Sequence, residues 1–519
     1  MCVDILDDIK YLNSTPDRVS PVVKINDQDA AEYMETLSDS QTYQDPDARY
    51  NDGFFSLSRF TSPSTMLGGF YSGAMALWPG TAKHTLEYGN GTTSDSTVIG
   101  GYSYDDGFPY ANGREVYEDY CLPATQTSST SSPTSTPTST STSTSTSSAS
   151  ASATPKPAPT GYPEAVIRDK NNFLAGYLPS EPPLQDTAVL SVPTFSVTDD
   201  EEDTYKVSNL AVRFIQKAKA EGRKKIILDL VSNPGGDLIW AYDLFTLFFP
   251  NKLPYASTRF RAHDALYLLG KVGYSIPEDT DEPHLREIHN TGYFNMKTPN
   301  QSYTFQSADE FYGPHSVLGA NLTSAASDNY QWFSEPMDPI HGYGGVKNNY
   351  TTAPFAPEDI LILTDGACSS SCPLFTKLMS EEGVRTVTFG GRPQYGPMQS
   401  MGGTRGGEVL DGESLVNMIS GAHQIANATG ILTDEELQTL KELSPAVEPP
   451  LMYSSVSVNL RNSYARDDEE SLMPLQFVYK PADCRLFYTL ENIFRPSTTW
   501  AAAARAIWGE GNCVAGSQT

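Results

Sequence analysis

Positive charge is in short supply in this chain. Its 519 residues carry 35 Lys and Arg against 63 Asp and Glu, a formal net charge of −28, and the isoelectric point is near 4.5. That balance argues against nucleic acid or an anionic membrane surface as partner. Its plain meaning is solubility, although a basic peptide would also be drawn to such a surface. Long apolar runs are missing too. The longest, Leu238 to Pro250, is interrupted by Asp243 and falls short of the ~18 residues of a membrane span. Histidine is scarce, at seven residues: His84, His263, His284, His289, His315, His341 and His423. The six cysteines are Cys2, Cys121, Cys368, Cys372, Cys484 and Cys513. No His pair or second close Cys pair accompanies Cys368 and Cys372, which argues against zinc. No metal or cofactor is expected. The opening Met1-Cys-Val-Asp-Ile-Leu-Asp-Asp8 has neither the basic nor the apolar region of a signal peptide.

What the chain does contain divides it. Residues Thr125 to Thr154 are almost wholly Ser, Thr, Ala and Pro, and Lys156-Pro-Ala-Pro159 follows. Such a stretch cannot bury a core, and it predicts a disordered, mucin-like, O-glycosylated linker. The expected organisation is an N-terminal β-rich region at 1–122, the linker at 123–160 and a core at 161–519. A hydrophobic fraction of 39% supports a sizeable core, and the length allows two or three domains. Sequons at Asn13, Asn90, Asn300, Asn321, Asn349 and Asn427 fit passage through the secretory pathway, so a secreted or extracellular location is expected. Cys484 and Cys513 bracket the C-terminal segment and are placed to pair. A disulfide between Cys368 and Cys372 would stiffen the turn between them. The connectivity itself is not fixed by sequence.

The core alternates strand and helix patterns, which predicts an α/β fold. Val207, Leu210, Phe214, Ile215 and Ala218 form one helical face between the Ala188 and Lys225 strands, a packing stripe. Residues 54–120, rich in Gly, Tyr and Ser, predict strands and turns. Residues 264–350 show no clear period and predict a long insertion near a substrate cleft.

Two turns carry the chemistry. The strand Ile360-Leu-Ile-Leu363 breaks at Thr364-Asp365-Gly366, and a helical pattern starts at Pro373 after Cys368-Ser-Ser-Ser-Cys372. A serine between a strand and a helix N-terminus has the helix dipole and free N–H groups where an oxyanion would form. Serines in such turns are otherwise caps or loop residues. Upstream, the strand Lys225-Ile-Ile-Leu-Asp-Leu230 ends in Val231-Ser-Asn-Pro-Gly-Gly236 before an apolar helix from Asp237 to Phe249. Adjacent glycines at a helix start leave backbone N–H groups open to an anion, and Asn-Pro-Gly-Gly also occurs as an ordinary turn.

With these turns the chain resembles the S41 serine peptidases, the tail-specific protease family. Ala188-Val-Leu-Ser-Val-Pro-Thr-Phe195 is similar to the family's first core strand, and Asp229 to Gly236 to its glycine turn. Cys368 to Cys372 resembles the nucleophile turn, Val384-Arg-Thr-Val-Thr-Phe-Gly-Gly391 the next strand, and Gly396-Pro-Met-Gln399 the Gly-rich loop. Cys-x-Ser-x-Cys, Gly390-Gly-Arg-Pro393 and Pro481-Ala-Asp-Cys484 resemble the fungal branch, as does Gln44-Asp-Pro-Asp-Ala-Arg-Tyr-Asn51. Ser20 to Ala30 looks like the family's PDZ-like, β-rich region. The resemblance implies a core of ββα units, crotonase- and ClpP-like, acting on peptides or proteins. Ser370 would be the nucleophile, the N–H groups of Gly235 or Gly236 and of Ser371 the oxyanion donors, and Gln399 a loop-positioning residue. It also implies kinship with fungal members associated with ustiloxin- and phomopsin-type precursors, so a repeat-containing precursor peptide is the expected substrate.

The departures bear on the general base. Where tail-specific members place a Lys, this chain has Pro397, and Arg392 and Arg405 keep their charge. The Asp-Gly-His-Phe segment of other members is absent. His263, beside Asp264, is the substitute the sequence offers, with Glu408, Glu413, Glu435 or Glu436 to orient a base. The base is otherwise unidentified. The chain thus reads as a truncated or short paralogue or an incomplete gene model, and the competing expectation is an inactive, secreted peptide-binding protein.

Overall fold

The segments with near-continuous Val, Ile and Leu lie side by side in the computed structural model of this chain. It describes residues 20–61, 81–97, 109–120, 158, 161–197, 203–277, 283–290, 292–333, 338–348, 350–444, 457–466 and 472–517. The Ser/Thr-rich linker, Cys2, Cys121, Asn13 and Asn349 lie outside those residues.

A seven-stranded sheet organises the core. Its order is Cys484–Leu486, Arg385–Phe389, Ile360–Thr364, Lys225–Asp229, Thr187–Ser191, Ala175–Tyr177 and Ile167–Arg168. The first five strands run parallel and the last two close one edge antiparallel. Parallel strands need cover on both faces, and alternate residues supply it. Leu190, Leu228 and Ile362 face the helices Asp203–Ala220, Leu238–Phe248 and Ser371–Glu381, among Phe214, Phe245 and Phe375. Val189, Ile227 and Leu361 face the helix Pro496–Trp508 through Trp500 and Ala503. The fold is mixed α/β, as the alternating pattern predicts. Val207, Phe214, Ile215 and Ala218 are fully buried, as the helical stripe requires.

Two antiparallel sheets flank this core. One has three strands, Gly406–Asp411, Ser457–Tyr464 and Ser257–Phe260. The other, before the linker, has four: Gln28–Asp29, Val22–Ile25, Lys83–Tyr88 and Thr93–Thr97. The helix Pro46–Asp52, capped by Asp45, leaves that sheet and docks on the core. Asn51 donates to the carbonyls of Asp365 at 2.7 Å and Phe389 at 2.8 Å, and accepts the Gly391 N–H at 2.8 Å.

Residues 264–350 contain more regular structure than their pattern suggested. The helix Asp264–Gly273 buries Leu266, Leu268, Leu269 and Val272. The other elements there, such as Pro283–Asn290 and Met296–Lys297, are eight residues or shorter. Segments that short fall below the window in which a period can be recognised. Among the described residues no helix is long and apolar enough to cross a membrane.

Candidate active site

The two sequence turns meet at the C-terminal ends of the central strands. Asp365 fastens them: its carboxylate accepts the Ser232 N–H at 2.9 Å, the Ser232 hydroxyl at 2.5 Å and the Ala367 N–H at 3.1 Å. The Ser369 N–H adds a bond to the Asn233 carbonyl at 3.3 Å. Nothing in the local pattern marks Asp365 for this task, because Ser232 lies on the neighbouring strand's exit.

Ser370 occupies the N-cap of the helix Ser371–Glu381 with φ 58° and ψ −116°. A side chain adopts that region at a cost of roughly 1–3 kcal/mol, so something must hold it. Its N–H is bound to the Thr404 carbonyl at 2.8 Å. The disulfide Cys368–Cys372 closes over the turn with an S–S distance of 2.04 Å. Cys484 and Cys513 form a second disulfide at 2.07 Å.

The glycines divide the work differently from the sequence expectation. Gly235, one of the expected oxyanion donors, gives its N–H to Asn233 Oδ1 at 2.8 Å in this structure. Its role is steric: a Cβ there, at φ 99°, would lie 2.7 Å from the Ser370 Cβ. Gly236 sits against the corner of the first core strand, where Phe195 N–H meets the Gly235 carbonyl at 2.8 Å and Asp237 N–H meets the Phe195 carbonyl at 3.1 Å. The N–H groups of Gly236 and Ser371 have no acceptor among the described residues. Ser371 is fully buried, and its hydroxyl has no partner among them either.

Gln399 ties three segments together. It donates to Asp45 Oδ2 at 2.8 Å, accepts the Lys480 N–H at 2.9 Å and is held by the Arg405 guanidinium. Arg405 in turn reaches the carbonyls of Met401 at 2.9 Å, Leu475 at 3.2 Å and Val478 at 2.8 Å. Burial lowers its pKa from the usual arginine value. A recess of about 190 Å³ opens at Ser370 against these residues. A more polar recess of about 550 Å³, bordered by Asp45, Asp47 and Arg392, shares Met401 and Arg405 with it.

Among the described residues no base, histidine included, hydrogen-bonds the serine. His263 is exposed and spends its Nδ1 accepting the Ala265 N–H at 3.1 Å as a helix cap. Glu408 is not free: Arg461 holds it at 2.5 Å and also grips Asp328 at 3.0 Å. Glu436 pairs with Lys271 at 2.6 Å, while Glu413 and Glu435 are exposed. One His–carboxylate pair was not foreseen. His341 Nδ1 lies 2.6 Å from Asp243, whose other oxygen accepts the Ser208 hydroxyl at 2.6 Å. Asp243, which interrupts the apolar run 238–250, was its sequence signal. Two further carboxylates beside the turns are perturbed. Burial raises Asp229 to about 6, against hydrogen bonds from Trp500 and Val231. Burial, with the nearby Asp338, raises Asp237 to about 7.

The family models and the curated relatives agree on kinship. A family model described as peptidase family S41 matches residues 186–399, and one described as a CPAF-like PDZ domain matches residues 3–106. The peptidase S41 family protein ustP of Aspergillus flavus is 34% identical over 475 residues, covering 88% of this chain and 96% of that protein. The peptidase S41 family protein phomP1 of Diaporthe leptostromiformis is 32% identical over 534 residues, covering 95% and 76% respectively. Among solved structures, mature CPAF covers 95% of this chain and 78% of its own at 12% identity, with a TM-score of 0.45.

Proposed function

This chain belongs to the S41 peptidase family, and on that premise we propose that it is a serine endopeptidase with Ser370 as nucleophile. The observation that carries the reading is the Ser370 turn. A strained serine caps a helix, with the unused N–H groups of Gly236 and Ser371 beside it. In the proposed reaction Ser370 Oγ attacks the substrate carbonyl carbon and gives up its proton. The tetrahedral oxyanion is held by the Gly236 and Ser371 N–H groups. The C–N bond then breaks, the amine leaves with a proton, and water hydrolyses the acyl ester to free the serine. Gln399 positions the loop through Asp45 and Arg405 rather than touching substrate. The proton acceptor is a group not yet assigned.

The substrate class we propose is a ribosomally made, repeat-containing precursor peptide, on the strength of the sequence resemblance alone. Two disulfides support folding in the secretory pathway or outside the cell.

One observation favours a second reading, a peptide-binding protein without catalysis: Ser370 Oγ has no hydrogen-bond partner among the described residues. Apo sites are often loose in this way, so the enzyme reading is preferred. Fluorophosphonate labelling of the full chain separates the two. Labelling that disappears in Ser370→Ala shows an activated serine. Folded protein that is not labelled leaves the binding protein.

A further inference from the structure

The recess that opens at Ser370 has about 190 Å³ of space. An apolar cavity of about 150 Å³ accepts a benzene ring, so this one has room for a single large side chain. Carbon dominates its walls. Pro373 and Leu374 come from the first turn of the serine's own helix, and Met401, Leu475 and Val478 form the facing wall. A side chain carried by the residue under attack has its entrance at Ser370 itself.

The charges around this recess oppose those of the whole molecule. In a chain of net charge −28, it is bordered by Lys377, Arg405 and Lys480, and its one carboxylate is Glu381. Cations flank that carboxylate and offset its charge, while its Oε2 is buried without a hydrogen-bond partner among the described residues. Lys377 Nζ lies 3.1 Å from one oxygen, and Arg466 Nε lies 3.7 Å from the other. Arg405 is bonded to carbonyl oxygens and to Gln399, and it has no carboxylate within ion-pair distance among the described residues. Lys480 is exposed and borders the recess. A Lys or Arg entering here would lose its hydration among like charges. An apolar side chain would exchange water for carbon.

We infer that this recess receives the side chain of the residue whose carbonyl Ser370 attacks, that it takes Leu, Met or Phe and rejects Lys and Arg, and that Lys480 enforces the rejection. The inference rests on Ser370 as the nucleophile and names the substrate class at that site: peptides with an apolar residue just before the cleaved bond.

The test uses the full chain and four peptides identical except for Leu, Phe, Glu or Lys at one position. Cleavage at that position is followed by mass spectrometry for wild type, Lys480→Glu and Ser370→Ala, and binding to Ser370→Ala and to the double variant by fluorescence anisotropy. The Leu and Phe peptides are expected to exceed the Lys peptide in kcat/KM by about 50-fold or more. Lys480→Glu should raise the Lys-to-Leu ratio by roughly tenfold, in cleavage and in binding alike. Equal use of Lys and Leu, a preference for Glu, or an unchanged ratio in Lys480→Glu overturns the inference. Undiminished cleavage by Ser370→Ala instead overturns the choice of nucleophile, and the binding ratios still decide the recess. If no peptide is cleaved, those ratios decide it alone, and binding indifferent to the side chain, or absent, counts against it.

Discussion

Gly235→Ala is the sharpest perturbation of the nucleophile turn. A methyl group at φ 99° would lie 2.7 Å from the Ser370 Cβ and press on the Ser369 carbonyl. The left-handed conformation costs a non-glycine residue roughly 1–3 kcal/mol. Overpacking against backbone that cannot retreat adds roughly 1–3 kcal/mol. Retreat is blocked because the Ser370 N–H is bound to Thr404 at 2.8 Å and the Cys368–Cys372 disulfide spans the turn. The sum is about 2–6 kcal/mol. Gly222→Ala provides the control, since Gly222 also has a positive φ of 74° but has no atom within 4 Å of an added Cβ. It should show the backbone cost alone. Urea unfolding of both variants gives the stability difference, and fluorophosphonate labelling rates read the turn directly. Gly235→Ala is expected to lose more stability than Gly222→Ala and to label at least about tenfold more slowly, a retardation that Gly222→Ala should not share. Equal stabilities with wild-type labelling would refute the steric role given to Gly235.

Two further outcomes follow from buried groups. Asp229 has its folded pKa raised from 3.8 to about 6. The folded state therefore disfavours its charge, and stability should fall as pH rises from about 4 to 6, by roughly 3 kcal/mol, and level off above. Asp229→Asn should remove that slope, so wild-type and variant urea midpoints measured from pH 4.5 to 7 should diverge; parallel curves would count against it. The double variant Cys368→Ser, Cys372→Ser should lose about 2 kcal/mol of stability for so short a loop. Its serine labelling should slow at least about fivefold, because the strained φ is no longer enforced, and an unchanged labelling rate would show that hydrogen bonds alone hold the turn.

The strands were legible because a parallel sheet covered on both faces needs runs such as Ile360-Leu-Ile-Leu363, buried throughout. The helix after Gly236 was legible from its apolar run, and the structure makes Asp237 its cap rather than its first residue. The two turns could each be placed by their strand-to-helix contexts. What joined them could not, because Asp365 and Ser232 lie far apart in the chain and touch only through strand pairing. The division of labour between Gly235 and Gly236 was equally hidden, since the Asn233 amide decides it in three dimensions. Lys377 did leave a trace. It interrupts the apolar face made by Leu374 and Leu378, and the structure buries it with Glu381 and the Tyr255 carbonyl.

The linker also reads differently once these bonds are considered. A Ser/Thr-rich stretch between two regions suggests units that fold and act apart, yet residues on its N-terminal side complete the core. Asn51 satisfies the carbonyls of Asp365 and Phe389 and the N–H of Gly391. Asp45 receives the Gln399 amide, and its own N–H bonds the Gly402 carbonyl at 3.0 Å. Asp47 accepts the Arg392 N–H at 2.8 Å. These core groups lie at or just beyond the C-terminal ends of central strands, and Arg392, Gln399 and Gly402 border the more polar recess near Ser370. Without the helix Pro46–Asp52 they would lose their partners, and a buried polar group left unsatisfied costs roughly 1–3 kcal/mol. The residues on either side of the Ser/Thr-rich stretch therefore pack together around the candidate site.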